Sequence, residues 1–464
     1  MRLTIKNIGL VKEADIKLEG LTIIAGENDT GKSTVGKTLF SIIKGMNNHH
    51  KDFKEAKLVQ LEEAVDIIYF KYREIVKEFS DGHVRVKPSL YPPVMRRELL
   101  HFLNMEDYYA LDEYISDYKF QIERELFKLS ISKSKDFEMA HLFNHIDQIV
   151  KELQEPDHFL VDTLKLALKS EFGTDICNKS TKKESMIKYE ENRQLVVQAY
   201  LFNEEIVDSK YPGGPLEIED VTYIESPLTF QMHKIISEAS TFSSDRKIMG
   251  HSVKKSRKNL IPFHMKDLIS KMSESSYYTI DLDSVLFENE LFDDMVFEND
   301  HQTFIDDISG IIDGESVLDK DLDEFLFQRK INEKLYSFKT SNVASGIKSF
   351  SMIQMLLKAQ MMNDRTILII DEPEIHLHPK WQVKYCEIIA KLASLGIKIL
   401  VTSHSPYIVQ ALRVFAKRYE MDSKTNFYLA EKKESGSQIL NVNEDLNSIF
   451  KKLSDPIQNL LWEN

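Results

Sequence analysis

The stretch GENDTGKST, residues Gly26 to Thr34, decides how this chain is read. A β-rich segment (residues 2–7, 14–18 and 21–25) leads into it, and a helical pattern (Val35, Leu39, Ile42, Ile43) leads out. The spacing GxxxxGKS between a strand and a helix wraps backbone N–H groups around phosphate oxygens. In that arrangement Lys32 reaches the β/γ-phosphates and Ser33 holds Mg²⁺. Gly26 and Gly31 permit backbone conformations that a side chain would obstruct. Glu27, Asn28, Asp29, Thr30 and Thr34 complete the cradle as candidate contacts. A chance glycine-rich turn would not bring strand, lysine, serine and helix together. The loop therefore reads as a site for a nucleoside triphosphate.

A length of 464 residues suggests two or three domains, and 42% hydrophobic residues suffice for sizeable cores. No apolar stretch is long enough to cross a bilayer, and the N-terminus begins on a strand pattern without a signal peptide. Cys177 and Cys386 lack the number and spacing for a disulfide framework or metal site. These features predict a cytosolic protein with no membrane partner. The net charge of −14 is segregated. Residues 281–325 hold sixteen acids and one base, Lys320, so the rest of the chain sums to +1. Just upstream, residues 246–266 hold seven bases (Arg246, Lys247, Lys254, Lys255, Arg257, Lys258, Lys266) and no acid. The basic run suits a phosphate backbone such as DNA, and the acidic run a basic partner. The plainer reading is that both are solvated faces, or that they neutralise each other.

Helical sequence is expected from about residue 46 to 203. Leu61, Val65, Ile68, Tyr72, Ile75 and Phe79 alternate steps of four and three, the mark of an amphipathic helix. Pro88, Pro92 and Pro93 punctuate the region, and further helices are expected over 98–103, 107–129 and 137–153. These runs are too short for a long coiled coil and predict a compact insertion. The run YPGGP at 211–215 is the strongest break. A short strand is expected at 221–224, then mixed elements from about 280, with a small sheet expected from Gly314 and residues 326–328 and 335–338. The last third alternates strand and helix: 367–370, 382–395, 397–402 and 406–415. This rhythm predicts a parallel sheet covered by helices. A strand at 426–429 and a helical tail close the chain.

Three further motifs carry chemistry. ILIIDEPEIHLHP, from Ile367 to Pro379, ends an apolar strand in Asp371-Glu372. Carboxylates at the C-terminal edge of a buried parallel strand stand where such sheets bind ligands. Asp371 is placed to hold the Mg²⁺ that Ser33 also contacts, and Glu372 to orient and deprotonate the attacking water. ILVTSHSPYIV, from Ile399 to Val409, places His404 after the next strand, within reach of a γ-phosphate. The segment from Asn342 to Lys348 puts Ser345 and Gly346 at the start of a helix, where a hydroxyl and free N–H groups can meet an anion.

In this order the four motifs resemble the ATP-binding-cassette ATPases, and more closely their SMC/RecF/OLD branch, which lacks membrane domains. The resemblance covers about residues 1–44 and 325–464 plus the strand at Tyr223. It implies an α/β fold: a P-loop parallel sheet with an antiparallel β subdomain, interrupted by a large helical insertion. The implied segments are 1–44 (head with the P-loop), 45–215 (helical insertion), 216–235 (head strand and glutamine loop), 236–324 (second insertion) and 325–464 (rest of the head). The resemblance further implies ATP and Mg²⁺ as cofactors and two heads sandwiching two ATP molecules. Lys32 of one copy would meet Ser345-Gly346 of the other. The glutamine joining the metal site would be Gln231, the only one near the Tyr223 strand. Asp29 stands where many relatives carry Gly, and Ile347-Lys348 replace the common Gly-Gln.

The residues around the motifs (YIESPL, NVASGIKSF, IIDEPEIHLHPKWQ, TSHSPYIVQAL) look like the OLD-like ATPases of bacterial antiphage systems, such as the ATPase subunits of Septu and PARIS. The resemblance implies a homo-oligomeric ATPase that controls a separate effector nuclease. An OLD nuclease would carry a Toprim domain after His404, but only 60 residues come after it, with no suitable acidic cluster. No His-Asn-His motif is present; His49-His50 do not form one, and His376 and His378 are read as belonging beside the ATP site. No nuclease activity is expected of this chain alone. A RecF-like ATPase that clamps DNA through residues 246–266 is the alternative.

Overall fold

The computed structural model describes residues 1–79, 87, 90–105, 107–128, 133–154, 157–181, 183–212, 216–236, 261–274, 291–434 and 436–462. The chain divides into two compact units, residues 1–44 with 165–464, and residues 45–164.

The first unit is built on an eleven-stranded sheet. Its N-terminal strands are β1 (Arg2–Ile8), β2 (Val11–Lys17) and β3 (Leu21–Gly26). Then come β4 (Ser185–Glu191), β5 (Gln194–Phe202), β6 (Glu205–Lys210) and β7 (Asp220–Ile224). Farther along lie β11 (Thr366–Asp371), β12 (Lys398–Ser403), β13 (Thr425–Lys433) and β14 (Gly436–Asn441). The spatial order is β6-β5-β4-β1-β2-β14-β13-β3-β12-β11-β7. The stretch β13-β3-β12-β11-β7 is parallel, while β2-β1-β4-β5-β6 is antiparallel. β3 and β11 are buried at every residue, as expected of parallel strands covered on both faces. β1 instead buries Leu3, Ile5 and Ile8 with the period of a one-sided strand. A separate antiparallel sheet joins β8 (Glu315–Asp319), β9 (Glu324–Ile331) and β10 (Lys334–Lys339).

Helix α1 (Lys32–Phe79) leads directly out of the phosphate loop. Helices α2 (Pro92–Met105), α3 (Tyr108–Lys128), α4 (Lys133–Gln154) and α5 (Asp157–Phe172) come next. The 45–164 unit has its own core, in which α3 contributes Leu111, Ile115, Tyr118, Ile122 and Leu126 at helical spacing. In the first unit, α6 (Phe263–Glu274), α7 (Leu291–Ile312), α8 (Ser345–Lys358), α9 (Pro379–Ser394) and α10 (Pro406–Arg418) share one core with β3, β11 and β12. Helix α11 (Asn447–Trp462) adds Ile449 to it. No helix of the described residues is long and apolar enough to cross a membrane, and both cysteines are free.

The βαβ rhythm of the last third stands as expected, but two expectations need correction. Residues 185–210 are not helical: they form β4, β5 and β6, which extend the sheet through β1. The turns Asn192-Arg193 and Asn203-Glu204 have positive φ at both residues (48° and 65°, 50° and 66°), the signature of tight hairpins. The residues between the buried ones (Lys188 between Ile187 and Tyr189, Gln198 and Tyr200 between Val197, Ala199 and Leu201) mix charged, polar and aromatic types and hid the two-residue period. The compact helical unit accordingly ends at Leu164, short of the 45–215 segment. Helix α1 runs unbroken for 48 residues. Parts of the expected YPGGP break and of both charge runs (213–215, 246–260 and 281–290) lie outside the described residues.

Gly36 marks the close approach of α1 to the sheet: a Cβ there would lie 2.9 Å from Tyr223 Cε2 and 3.1 Å from Ile369 Cγ2. Gly310 in α7 faces open space. Gly36→Ala is therefore expected to lower stability by about 1–3 kcal/mol through overpacking. Gly310→Ala is expected to raise it by roughly 0.5–1 kcal/mol through helix propensity. Urea denaturation of both variants against wild type checks the pair; equal shifts would contradict the packing described.

Candidate functional site

The edges of β3, β12, β11 and β7 align because their parallel registers do. Ala25 stands opposite Ser403, Thr402 opposite Asp371, and Ile370 opposite Ile224. The segments that leave these strands are thereby gathered at one rim. Gly26 ends β3 against β13, where a Cβ would come within 2.6 Å of the Ala430 carbonyl oxygen. Gly31 has φ +78° and a Cβ there would meet Val11 Cγ2 at 2.6 Å, so only glycine fits twice over. Asp29 adopts φ +61°, the left-handed conformation that Asp accepts more readily than most residues. Its carboxylate lies 3.0 Å from Lys432 Nζ. Thr30 Oγ1 donates to the Glu27 carbonyl at 2.8 Å and ties the loop to itself. Among the described residues, the N–H groups of Asn28, Asp29 and Gly31 donate to no backbone carbonyl. They remain available to an anion at the start of α1.

Lys32 is only 3% exposed. Its Nζ donates to the carbonyls of Gly26 (3.1 Å) and Glu27 (2.8 Å) and lies 3.6 Å from Glu372 Oε1. Asp371 is buried, with one oxygen accepting from the Tyr223 hydroxyl at 2.9 Å and the other from the Thr402 hydroxyl. Burial raises the Tyr223 phenol well above its ordinary value, so it acts as a donor. Glu372 sits at φ +49°, a strained conformation held by its N–H donating to the Thr402 carbonyl at 3.1 Å. His404 first and then Lys32 hold the Glu372 carboxyl below its usual range, against the opposing effect of burial. In return the carboxylates of Glu372 and then Glu374 raise His404 above the ordinary histidine value. His404 Nδ1 lies 3.6 Å from Glu372 and 3.2 Å from Glu374, and neither approach is aligned as a hydrogen bond, so the attraction is electrostatic.

Glu374 is a residue the motif reading missed. Its Oε1 accepts from the N–H groups of His404 (2.6 Å) and Ser405 (3.1 Å) and from Ser403 Oγ (2.8 Å), so one carboxylate organises the whole His404 turn. The signal was present as a second acid two residues after Glu372. Tyr223 and Thr402, the donors to Asp371, were likewise unassigned, and only the strand pairing reveals them. His378 Nδ1 accepts from the Lys380 N–H and caps α9.

The structure gathers Lys32, Asp371, Glu372 and His404 at one rim beside the loop that leads to Ser33. Ser345 and Gly346 begin α8, with Gly346 packed where a Cβ would meet Trp381 at 2.9 Å. No hydrogen bond or ion pair of the described residues joins them to the phosphate loop. Gln231 is exposed and lines a cavity of about 100 Å³ with His233, Lys234, Glu324, Phe325 and Lys339. No described contact connects it to Asp371. The described acids of the 281–325 run are largely engaged within the chain: Asp307 with Lys391, Asp313 with Arg329, Glu315 with Lys358, and Glu324 with Lys234 and Lys339.

The residues suit Mg²⁺ and a nucleoside triphosphate. One buried carboxylate, Asp371, and one hydroxyl, Ser33, are the sparse protein donor set of an ion that takes its other ligands from phosphate and water. A buried lysine above free N–H groups suits the phosphates themselves. Among the described residues no cluster of three or more His, Cys, Asp or Glu forms a self-sufficient metal site.

Behind this rim lies a buried charge network. His264 on α6 is 1% exposed, with Nδ1 2.6 Å from Glu171 Oε2 and Nε2 3.1 Å from Glu225 Oε2. Those two carboxylates raise it to about 9 against the effect of burial. A raised histidine contributes stability that is fully present below its unfolded value near 6.5. That contribution falls as pH rises through about 9. The expected loss is on the order of 2 kcal/mol between pH 6 and 9.5. Urea titrations at both pH values check it, and the loss should shrink in His264→Gln.

The family described as "AAA ATPase domain" matches residues 1–409. The Septu protein PtuA of Bacillus thuringiensis is 40% identical over 48 residues, which is 10% of this chain and 12% of that protein. Among solved structures, the SMC head domain from Thermotoga maritima aligns over 95% of this chain and 98% of its own, at 11% identity and TM-score 0.34. An Smc head domain with an extended coiled coil from Pyrococcus furiosus, bound to the C-terminal domain of ScpA, aligns over 98% of each chain at 11% identity and TM-score 0.38. With the family match spanning both the phosphate loop and the Asp371–His404 rim, the chain belongs to the AAA ATPase domain family.

Proposed function

We propose that this chain is a cytosolic, ATP-hydrolysing sensor and scaffold subunit of an antiphage defence complex, one that pairs its heads around ATP and controls a separate effector nuclease. The observation that carries the ATPase part is the convergence of Lys32, Glu372 and His404 within 3.6 Å steps. Mg²⁺, held by Ser33 and Asp371, would offset phosphate charge in the bound nucleotide. Among the described residues Lys32 has two carbonyls and one carboxylate around its ammonium, and it would bind the β/γ-phosphates. Glu372, kept ionised by His404 and Lys32, would accept the proton of the attacking water. His404 turns Nδ1 toward two carboxylates and would offer Nε2 to the γ-phosphate.

Pairing of heads is supported by the Ser345-Gly346 turn at the start of α8, whose N–H groups suit an anion brought by a second copy. The defence setting rests on the 48-residue likeness to a Septu protein and on the motif residues around Tyr223 and Asp371. The basic run at 246–266 favours a second reading, an ATPase that clamps DNA directly. ATP-dependent duplex binding that weakens steeply with salt would support that reading.

Replacing Glu372 by Gln is expected to slow hydrolysis by about 10²–10⁴-fold while retaining ATP. The variant should accumulate as a larger assembly on native mass spectrometry with ATP. Lys32→Ala should lose both binding and assembly. Wild-type turnover in Glu372→Gln would sink the catalytic assignment, and unchanged mass with trapped ATP would sink the pairing of heads. Phage plating on cells carrying the gene with its neighbours tests the defence role; equal plating with and without Lys32→Ala would contradict it.

A further inference from the structure

Helices α1 and α6 meet over β7 through residues at matched spacing: Lys37, Phe40 and Lys44 on one, His264, Asp267 and Lys271 on the other. Steps of three and four put each set on one helix face. Lys44 and Lys271 each pair with both Asp220 and Asp267, at 2.5–3.1 Å. One turn along, Lys37 lies 3.3 Å from Glu225 Oε1, and His264 lies between Glu225 and Glu171. The His264 N–H also donates to Glu171, at 3.0 Å.

Facing a carboxylate oxygen with each ring nitrogen, His264 satisfies both only as the two-donor imidazolium. Two such bonds fix the ring plane. That ring meets Tyr223 at a tilt of 43°, with centroids 4.7 Å apart, and Phe40 stands edge-on to both, 6.1 Å from His264 and 6.2 Å from Tyr223. Tyr223 is fully buried, and its hydroxyl donates to Asp371. A helix needing only an anchor would be served at least as well by apolar residues, since buried ion pairs seldom outdo them in stability. Here the charged ring stands beside the tyrosine whose hydroxyl donates to Asp371.

We propose that His264 is a positioning residue for Asp371: clamped by Glu171 and Glu225, it fixes the Tyr223 ring so that the Tyr223 hydroxyl orients the carboxylate toward Mg²⁺. The proposal rests on the reading of Asp371 as the Mg²⁺-holding group. It predicts that substitutions along His264–Tyr223 weaken the affinity for Mg²⁺ in the nucleotide-bound site and leave binding by the phosphate loop itself intact.

The test is binding of a fluorescent ATP analogue to the full chain, titrated with Mg²⁺ and also measured without it, so that hydrolysis is not the readout. Tyr223→Phe is expected to raise the half-saturating Mg²⁺ on the order of tenfold, the effect of losing one hydrogen bond to a charged group. His264→Gln should raise it in the same direction, with Mg²⁺-free binding kept within about twofold, and the double variant should be no worse than Tyr223→Phe alone. Effects that multiply in the double variant, or an unchanged Mg²⁺ midpoint in His264→Gln, would overturn the proposal. Lys44→Met disturbs the same helix contact without touching His264 and should leave the midpoint unchanged; an equal rise there would reduce His264 to a structural clamp. Should His264→Gln not fold, Glu171→Gln takes its place with the same expected direction, and an unshifted midpoint there overturns the idea equally. A wild-type chain that binds the analogue independently of Mg²⁺ would instead remove the reading of Asp371, and this proposal with it.

Discussion

A lysine buried to 3% exposure at the first turn of a helix must be surrounded by oxygen, because an unpaired interior ammonium is costly. Lys32 finds two carbonyls in its own loop and a carboxylate, Glu372, that arrives 340 positions later in the chain. That pairing requires β11 to end level with β3, although β12 stands between them. It requires β12 to carry Thr402 where Asp371 and the Glu372 N–H can both use it. The parallel register of three strands and the charge balance around one ammonium are thus the same constraint seen twice. Glu374 extends it by one step, since one of its oxygens, Oε1, gathers the backbone that presents His404.

Charge is then layered behind the rim. The first layer, Lys32–Glu372–His404, is partly open and faces the space a nucleotide would fill. The second, built on Lys37, Lys44, Asp220, Glu225, His264, Asp267 and Lys271, is mostly buried and joins α1 and α6 to β7. Tyr223 belongs to both, touching His264 with its ring and Asp371 with its hydroxyl. Buried ion pairs of this kind contribute more to register than to net stability. Their matched spacing on α1 and α6 admits one alignment of the two helices, and that alignment also brings Gly36 against Tyr223 and Ile369.

The described part of the acidic run illustrates how far charge in the sequence can mislead. Counted along the chain, residues 281–325 form a strongly negative block. In three dimensions Asp307, Asp313, Glu315 and Glu324 each find a Lys or Arg from α9, β9, α8, β10 or the turn after β7. Linear charge density measures neighbours in sequence, whereas the field at a surface is set by neighbours in space. These acids therefore serve first to fasten α7 and the small sheet to the rest of the unit.

The residue order alone determined the phosphate loop, the strand that ends in Asp371, the turn at His404 and the alternating strands and helices around them. Each is a local pattern whose meaning lies in spacing: a glycine at a forced φ, an apolar run, a carboxylate at a strand end. Gln231 shows the limit of that logic, since nearness in sequence to Tyr223 is all that links it to Asp371 among the described contacts. The strands at 185–210 were hidden for a related reason, because mixed polar, charged and aromatic residues on their other face masked a two-residue period that only pairing with β1 makes evident. Only the tertiary structure decided that Tyr223 and Thr402 hold Asp371, that Glu374 builds the His404 turn, and that His264 stands behind them. Those roles depend on which strands lie side by side, and strand order is a property of the whole sheet, set by the burial of all its faces together rather than by any one segment.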